Sequence, residues 1–455
     1  MMALKGNHEL ALRYVSHFRE AELEITGDSP DVLNVPRQAA LKNLISLGIP
    51  TRKTENYRYT NLEPAFSGRY SFVHSCEHTD IQLKDVFKCD VPKLETNLIT
   101  LLNGWFHTSS GKNSLPSGTI SESLERIAGS MNDLVASRYS TLSEADPDPL
   151  VSLNTAYARD GYFLYVPRNG MPDIPFQVIN FLQAEKDTFV NQRNLVVIEP
   201  GAEAIIIVCD HSLNLNNYLD NQVTEIFVGE NASLDFYTIQ NRHNRTTTFN
   251  STFFHLERDS RLTTHTITLH GGLVRNNMKV LLDGQNSEAN LYGLSFMDRK
   301  QHVDHFLQVV HEKPGCRSNQ HYKNVLDDES TGAFSGRIHV RRDAQKTNAY
   351  QRNNNLLLTD HARMQTKPQL IIEADDVKCS HGATMGQIDD NALFYLRSRG
   401  IGENQARLML MNAFAYEVLL QVKVNPLRDR ISELIDKRLR GEVSRCHECD
   451  YHCEC

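Results

Sequence analysis

Residues in this chain that could do chemistry fall in two places. The first is the C-terminal stretch, where Cys446, Cys449, Cys453 and Cys455 lie in ten residues together with His447 and His452. Cys446 and Cys449 have the C-x-x-C spacing that lets two thiolates reach one ion, and four thiolates would complete a tetrahedral zinc or iron site. Zinc modules, however, usually separate their two ligand pairs by roughly a dozen residues, so that a fold forms between them. Here three residues separate the pairs. The residues leave two readings open, a metal or redox site and a solvated tail with no defined site. The second place is KCSHGAT (378–384), where Cys379 and His381 stand two apart. On a strand that spacing puts both side chains on one side. Thiolate and neutral imidazole are both good iron ligands. Taken alone, such a pair at a strand end reads as structural.

Other chemistry is argued against by what the chain lacks. It has no Walker A sequence, no G-x-G-x-x-G after a strand, no H-E-x-x-H and no G-x-S-x-G. Without a phosphate loop, nucleotide hydrolysis is expected in a partner if anywhere. Asp327 with Asp328, and Asp375 with Asp376, are adjacent pairs that face opposite ways on a strand. They are poor acid–base pairs, which weighs against a sugar-active enzyme on a β-solenoid, the main rival reading. A metal-binding protein built around the cysteine tail is the other alternative. The histidines His302 with His305, and His265 with His270, also fall on opposite faces of a strand and read as surface or hydrogen-bonded core residues.

The elements that must position these residues follow from the rest of the chain. Its 455 residues correspond to about three domains, or to one long core with flanking pieces, at roughly 150 residues per domain. The net charge of −8 gives no support to nucleic-acid binding. The N-terminal residues form no secretory signal, and no apolar run approaches the ~20 residues of a membrane span, so a cytoplasmic location with reduced thiols is expected.

Residues 1–160 read as mainly helical. One helix carries Leu10, Tyr14 and Phe18. A second starts with Pro36 in its first turn and stops at Gly48. A further helical pattern covers 121–137, with an imperfect capping box starting at Ser121. Residues 161–387 are rich in β-branched and aromatic runs broken by turns of similar chemistry, EPGAEA, GENASL, RDSRL, GQNSEA, KPGCRS and RDAQKT. With Ala202, Ala232, Ser260, Ser287, Cys316 and Ala344 as markers, the steps are 30, 28, 27, 29 and 28 residues. A fixed period of this size, with two or three short strands per unit and no helix, predicts a β-solenoid. Residues 388–441 are helical again, with Asp389 or Asp390 as a cap, Glu403 opening a long apolar helix and Pro426 starting a third. That long helix carries Leu408, Met409, Leu410, Met411 and Phe414, more apolar surface than a small terminal unit can bury alone. Residues 442–455 form the cysteine-rich tail.

Three stretches support a family resemblance. ADDVKCSHGATMGQIDDNALFYLRSRGI (374–401) resembles the C-terminal signature of the SufD family of iron–sulfur cluster assembly scaffold components, within the SufB/SufD superfamily. GIPTRKTENYRYTNL (48–62) is similar to that family's N-terminal motif, with Tyr57 where Trp is common, and NTAYARDGYFLYVP (154–167) is similar to its junction with the core. The resemblance implies a mainly β fold, a right-handed parallel β-helix flanked by N-terminal and C-terminal helical parts. It implies a non-catalytic scaffold that pairs with a SufB-like subunit through the β-helix end. It also implies binding of a SufC-like ATPase through the C-terminal helices, with a homodimer as the alternative for the isolated chain. The implied cargo is a transient iron–sulfur cluster at the SufB interface, with reduced flavin as a further possible component of such complexes. His381 matches the position associated with holding the nascent cluster, with Cys379 beside it. Asn353 stands where SufB chains carry a key cysteine, which favours SufD.

Overall fold

The computed structural model describes residues 6–74, 91, 94–110, 115–145 and 147–440. Its core is a parallel β-solenoid of about seven turns. Each turn gives one strand to each of two facing sheets. Sheet I stacks Phe176–Leu182, Glu203–Ser212, Ser233–Asn241, Arg261–His270, Glu288–Met297, Arg317–Leu326, Thr347–Leu357 and Val377–Gly386. Sheet II stacks Tyr162–Val166, Thr188–Ile198, Tyr218–Val228, Thr246–Leu256, Leu273–Leu282, His302–His311, Thr331–Val340 and Arg363–Ile372. The repeat is thus two long strands per turn, most of them ten or eleven residues.

The sequence period arises at one corner. The markers Ala202, Ala232, Ser260, Ser287, Cys316 and Ala344 are all buried there, each one turn above the last. The residue before each of the first five, Gly201, Asn231, Asp259, Asn286 and Gly315, has φ between 57° and 75°. Gly, Asn and Asp tolerate that left-handed conformation, which is why the breaks share their chemistry.

Side chains inside the solenoid follow the strand alternation in files. One part of the interior is apolar, with Ile206, Phe236, Leu262, Val280 and Val309 in a single cluster. Another part is polar and hydrogen-bonded. Asn180 donates to Asp210 (2.8 Å), Thr268 to Gln240 (2.7 Å) and Gln240 to Asn276 (2.8 Å). His305 pairs with Ser295 at 2.9 Å across the interior. Buried polar groups must find partners of this kind, since an unmade bond costs more than a made one returns.

The N-terminal part packs over the start of the solenoid. Helix Arg37–Leu47 begins one residue later than read from the sequence, with Pro36 as its cap residue, and ends at Gly48 with φ 70°. The stretch read as helical from 121 is different at its start. Ile120–Ser123 is a strand, antiparallel to Tyr162–Val166. Ser123, not Ser121, caps helix Leu124–Ser130 by accepting from the Arg126 amide. At the other end, helices Asp390–Ser398, Glu403–Leu419 and Asn425–Leu439 follow the last strand. The second and third pack on the outer face of sheet I, where Met411, Ala415, Val418, Ile431 and Ile435 meet Ile267, Leu294 and Val325.

Candidate functional site

Among the described residues, the 377–386 strand is the last of sheet I and is hydrogen-bonded to a neighbour on one side only, the 347–357 strand. Most of its residues are exposed, His381 among them, and Cys379 is half-buried. Its register aligns Cys379 with Ala349 and His381 with Gln351, both buried in the solenoid interior. Cys379 and His381 therefore share the inward-facing side of the strand, as the two-residue spacing requires. Cys379 packs against the cluster of Ile338, Val340 and Ala349. That burial raises its thiol pKa, opposed by a hydrogen bond from the Ala349 backbone. The free thiol is thus held back from ionising unless an electropositive partner or metal approaches.

Two asparagines of the neighbouring strand brace this edge, and a third holds one of them. Asn354 donates to the Thr384 hydroxyl (2.8 Å), and Asn355 donates both to the Thr384 carbonyl (2.9 Å) and to Asn353 (2.7 Å). Asn353 is buried and aligned with Ala383. It supplies a carboxamide, not a thiol, to the interior beside the last strand.

A second exposed surface lies on the C-terminal helices. Phe394 is 74% exposed, Tyr395 57% and Tyr416 48%, with Met409 and Leu420 also outside. Met409, Tyr416 and Leu420 recur at helical spacing and form one stripe. The structure thereby divides the apolar excess of this helix into an inner face on sheet I and an outer face in solvent. Lys323 ties this helix to the 317–326 strand, two strands below the edge. It is 5% exposed in its side chain, donates to the Phe414 carbonyl (2.9 Å), pairs with Glu417 (2.7 Å) and lies over the Phe414 ring. The hydrogen bond from Lys323 holds the Glu417 carboxyl below its ordinary pKa. Sequence reasoning missed Lys323, because a lysine in a strand carries no sign that a helix carbonyl more than 90 residues later is its partner.

No group of three His, Cys, Asp or Glu residues forms a metal cluster among the described residues. Cys446, Cys449, Cys453 and Cys455 lie outside them. The other histidines fall on the faces their spacing indicated. His265, however, is neither at the surface nor hydrogen-bonded, since both its ring nitrogens are buried without a partner among the described residues and its ring is held by stacking alone. His302 bonds to Thr60 and Thr331, while His305 turns inward. His265 is buried between the rings of Tyr237 and Tyr292, and His270 meets the Arg242 carbonyl at 2.8 Å.

Comparison with known proteins bears directly on this arrangement. The SufBD core domain of the SUF system of FeS cluster assembly matches residues 181–414, and the SufBD protein N-terminal region matches 8–178. The chain belongs to the SufBD family. The iron–sulfur cluster assembly protein SufD of Escherichia coli is 30% identical over 443 residues, 97% of this chain and 99% of the relative. A SufBD family protein of Synechocystis is 29% identical over 91% of this chain and 93% of its own length. SufD of Bacillus subtilis is 25% identical over 65% of this chain and 68% of the relative.

Family membership gives two of the resembling stretches a structural meaning. In the 48–62 motif, Tyr57 donates to Asp148 (2.6 Å) under the Arg275 guanidinium, and Thr60 donates to Asp304. Arg275 in turn pairs with Asp304 and donates to the Asn56 carbonyl (2.7 Å). The motif is a strap that ties the N-terminal part to sheet II. In the 154–167 junction, Asn154 donates to the carbonyls of Gln192 (3.0 Å) and Asn221 (2.8 Å). Asp160 accepts from the Ser123 hydroxyl (2.8 Å) and the amides of Phe106 and Glu125.

Proposed function

We propose that this chain is a non-catalytic scaffold subunit of a cytoplasmic iron–sulfur cluster assembly complex. A SufB-like subunit would join the 377–386 edge, and a SufC-like ATPase would take the outer stripe of the C-terminal helices. The observation that carries the reading is the uncovered last strand with Cys379 and His381 on its inward side. An unpaired strand edge offers a row of backbone donors and acceptors to another chain. Two side-chain donors are too few to complete a tetrahedral iron site, so the remaining ligands to a nascent cluster would come from the chain that covers the edge. The cluster is then cargo at the interface. The Phe394–Tyr395–Tyr416 surface has the aromatic character of an anchor for a partner. Lys323 would carry movement of the ATPase-bound helices toward the strands beside the edge.

The test is co-expression of the tagged chain with SufB-like and SufC-like proteins of the same source, followed by affinity purification. Recovery of both partners is expected. Loss of the SufB-like chain alone is expected on deleting 377–386, and loss of the ATPase alone for the double change Phe394→Glu and Tyr416→Glu. A chain that purifies with neither partner contradicts the reading.

A further inference from the structure

The third helix of the C-terminal part ends against a corner of the solenoid. Arg438, in its last turn, donates to the Leu269 carbonyl (3.1 Å), pairs with Asp298 (2.6 Å) and reaches the Gln301 carboxamide oxygen (3.2 Å). Gln301 in turn donates to the Asn244 oxygen (2.5 Å), two turns nearer the start. Both residues line a groove of about 1000 Å³ that runs along this corner, with helix Glu63–Ser67 contributing its opposite wall. The groove is charged unevenly. Arg245, Arg299 and Lys300 are exposed on the rungs from Gln301 toward the start, whereas Asp328 and Glu329 are exposed on the next rung toward the finish. Arg245 donates to the Leu215 carbonyl (3.3 Å), and Lys300 stands 3.9 Å from Glu329 with both side chains mostly in solvent. Among the described residues the Arg299 side chain makes no hydrogen bond or ion pair, its backbone amide alone meeting Asp328. Clustered cations of one sign in a cleft raise the local concentration of anionic groups.

We infer that this groove is the docking site of the chain's own C-terminal segment, 441–455, which lies outside the described residues. Continuity, charge and reach select that occupant. Helix Asn425–Leu439 delivers the chain to Gln301, in the wall of the groove. The segment carries Glu442, Glu448, Asp450 and Glu454 against Arg445 alone, so it is acidic where this half of the groove is basic. From Gln301 to Asn217 the basic half covers three turns of the solenoid. That is about 15 Å at a strand spacing of about 4.8 Å. An extended chain covers roughly 3.3–3.6 Å per residue, so the first half of the segment spans it and carries Glu442, Glu448 and Asp450 past the three cations. Docked in this direction, the segment leaves the acidic rung at Asp328 and the 377–386 edge behind it. The cysteines then belong to a clasp that is held by its carboxylates, and no thiol is needed to hold it.

Zero-length carbodiimide coupling joins a lysine amine to a carboxylate already beside it, so Lys300 reports its own neighbours. The full-length purified chain is coupled in low salt, with reductant and chelator present so that neither a disulfide nor a metal holds the segment. Mass spectrometry then maps the products. Lys300 is expected to join Glu448 or Asp450 as well as Glu329, its partner in the structure. At about 1 M salt, where the screening length falls to about 3 Å, the link to the segment is expected to be lost. Arg245→Glu with Arg299→Glu leaves Lys300 in place and is expected to abolish that link. Changing Cys446, Cys449, Cys453 and Cys455 together to Ser is expected to leave it intact. In an equal mixture of ¹⁵N-labelled and unlabelled chains, both sides of the link should carry the same isotope. Thermal unfolding of each variant controls for folding, and if the double Arg→Glu variant does not fold, the salt series, the Cys→Ser variant and the isotope mixture decide. A Lys300–Glu329 link with none to the segment overturns the inference, as does a segment link that survives in the folded double Arg→Glu variant. A link between chains would make the occupant the segment of a second copy, and loss of the link in the Cys→Ser variant would make the thiols the anchor. Either result also overturns it.

Discussion

The start and the finish of the solenoid are built from the same two-strand turn and end in opposite ways. At the start, the Glu225 carboxylate accepts from the amides of Ser140, Leu142 and Ser143 and from Arg193, and neither member of the ion pair exceeds 1% exposure. Arg193 also reaches Thr155 (3.0 Å) and Ser143 (2.8 Å). Helices and a buried charge together close that end. At the finish, the last strand of sheet I pairs, among the described residues, only with the strand below, and most of its residues meet solvent. Two ends of one repeat have no reason of stability to differ so far. On the proposed reading, the first end serves stability and the second serves association.

Acid should have the largest effect and break both ends together. His265 is pushed down to about 3, and His270, His305 and His311 to about 4, all chiefly by burial. In the unfolded chain these rings titrate near the ordinary 6.5. Unfolding therefore takes up protons once the pH falls below that value, and the stability lost grows until about pH 4. At about 1.4 kcal/mol per shifted unit, four such rings set an upper limit of roughly 15 kcal/mol on the loss. Asp220, pushed up to about 6 by burial, opposes this, since its protonation in the folded state between about pH 4 and 6 is favourable. Asp148, Asp160 and Glu125, also raised by burial, act in the same direction as Asp220, and His211 and His243, both pushed down to about 4, act with the four rings. Urea midpoints measured from pH 8 to 5 should fall steadily below pH 6.5, and a flat profile would show that the interior histidines do not stay neutral.

The next effect is confined to the closed end. Glu225→Ala leaves the Arg193 guanidinium buried and unpaired and should cost about 3–5 kcal/mol in denaturant unfolding. A loss under 1 kcal/mol would mean that water enters and the end is less closed than its geometry. Smaller still is the link between helices and strands near the open end. Lys323→Met removes a donor to the Phe414 carbonyl and should cost about 1 kcal/mol, with faster amide exchange in the 403–419 helix. Unchanged exchange there would remove Lys323 as a mechanical connection. Smallest is His381→Ala. An exposed side chain on the open edge should change stability by no more than about 0.5 kcal/mol.

Much of the fold was legible in the chain because the solenoid corner repeats its turn chemistry. Gly201, Asn231, Asp259, Asn286 and Gly315 are residues that tolerate a left-handed backbone, and that requirement writes the period into the sequence. The same period subtracts 30 residues from His381 to reach Gln351, yet the pairing could not be read without the register. Long-range partners left no local trace. Thr60 and Asp304 are 244 residues apart, and nothing near Thr60 announces a strand carboxylate. The two-residue spacing of Cys379 and His381 correctly placed them on one side of a strand. That the strand would be the uncovered last one, and that its neighbour would bring Gln351 and Asn353 beside it, depended on where the stacking stopped.

The central claim is that the open end works in cluster assembly while contributing little to the fold. The most direct measurement is complementation of a strain lacking its native copy with His381→Ala, reading both the amount of folded chain and the activity of iron–sulfur enzymes. The expected result is a variant at wild-type abundance and thermal stability that fails to mature those enzymes. Normal maturation by a folded His381→Ala variant would contradict the account.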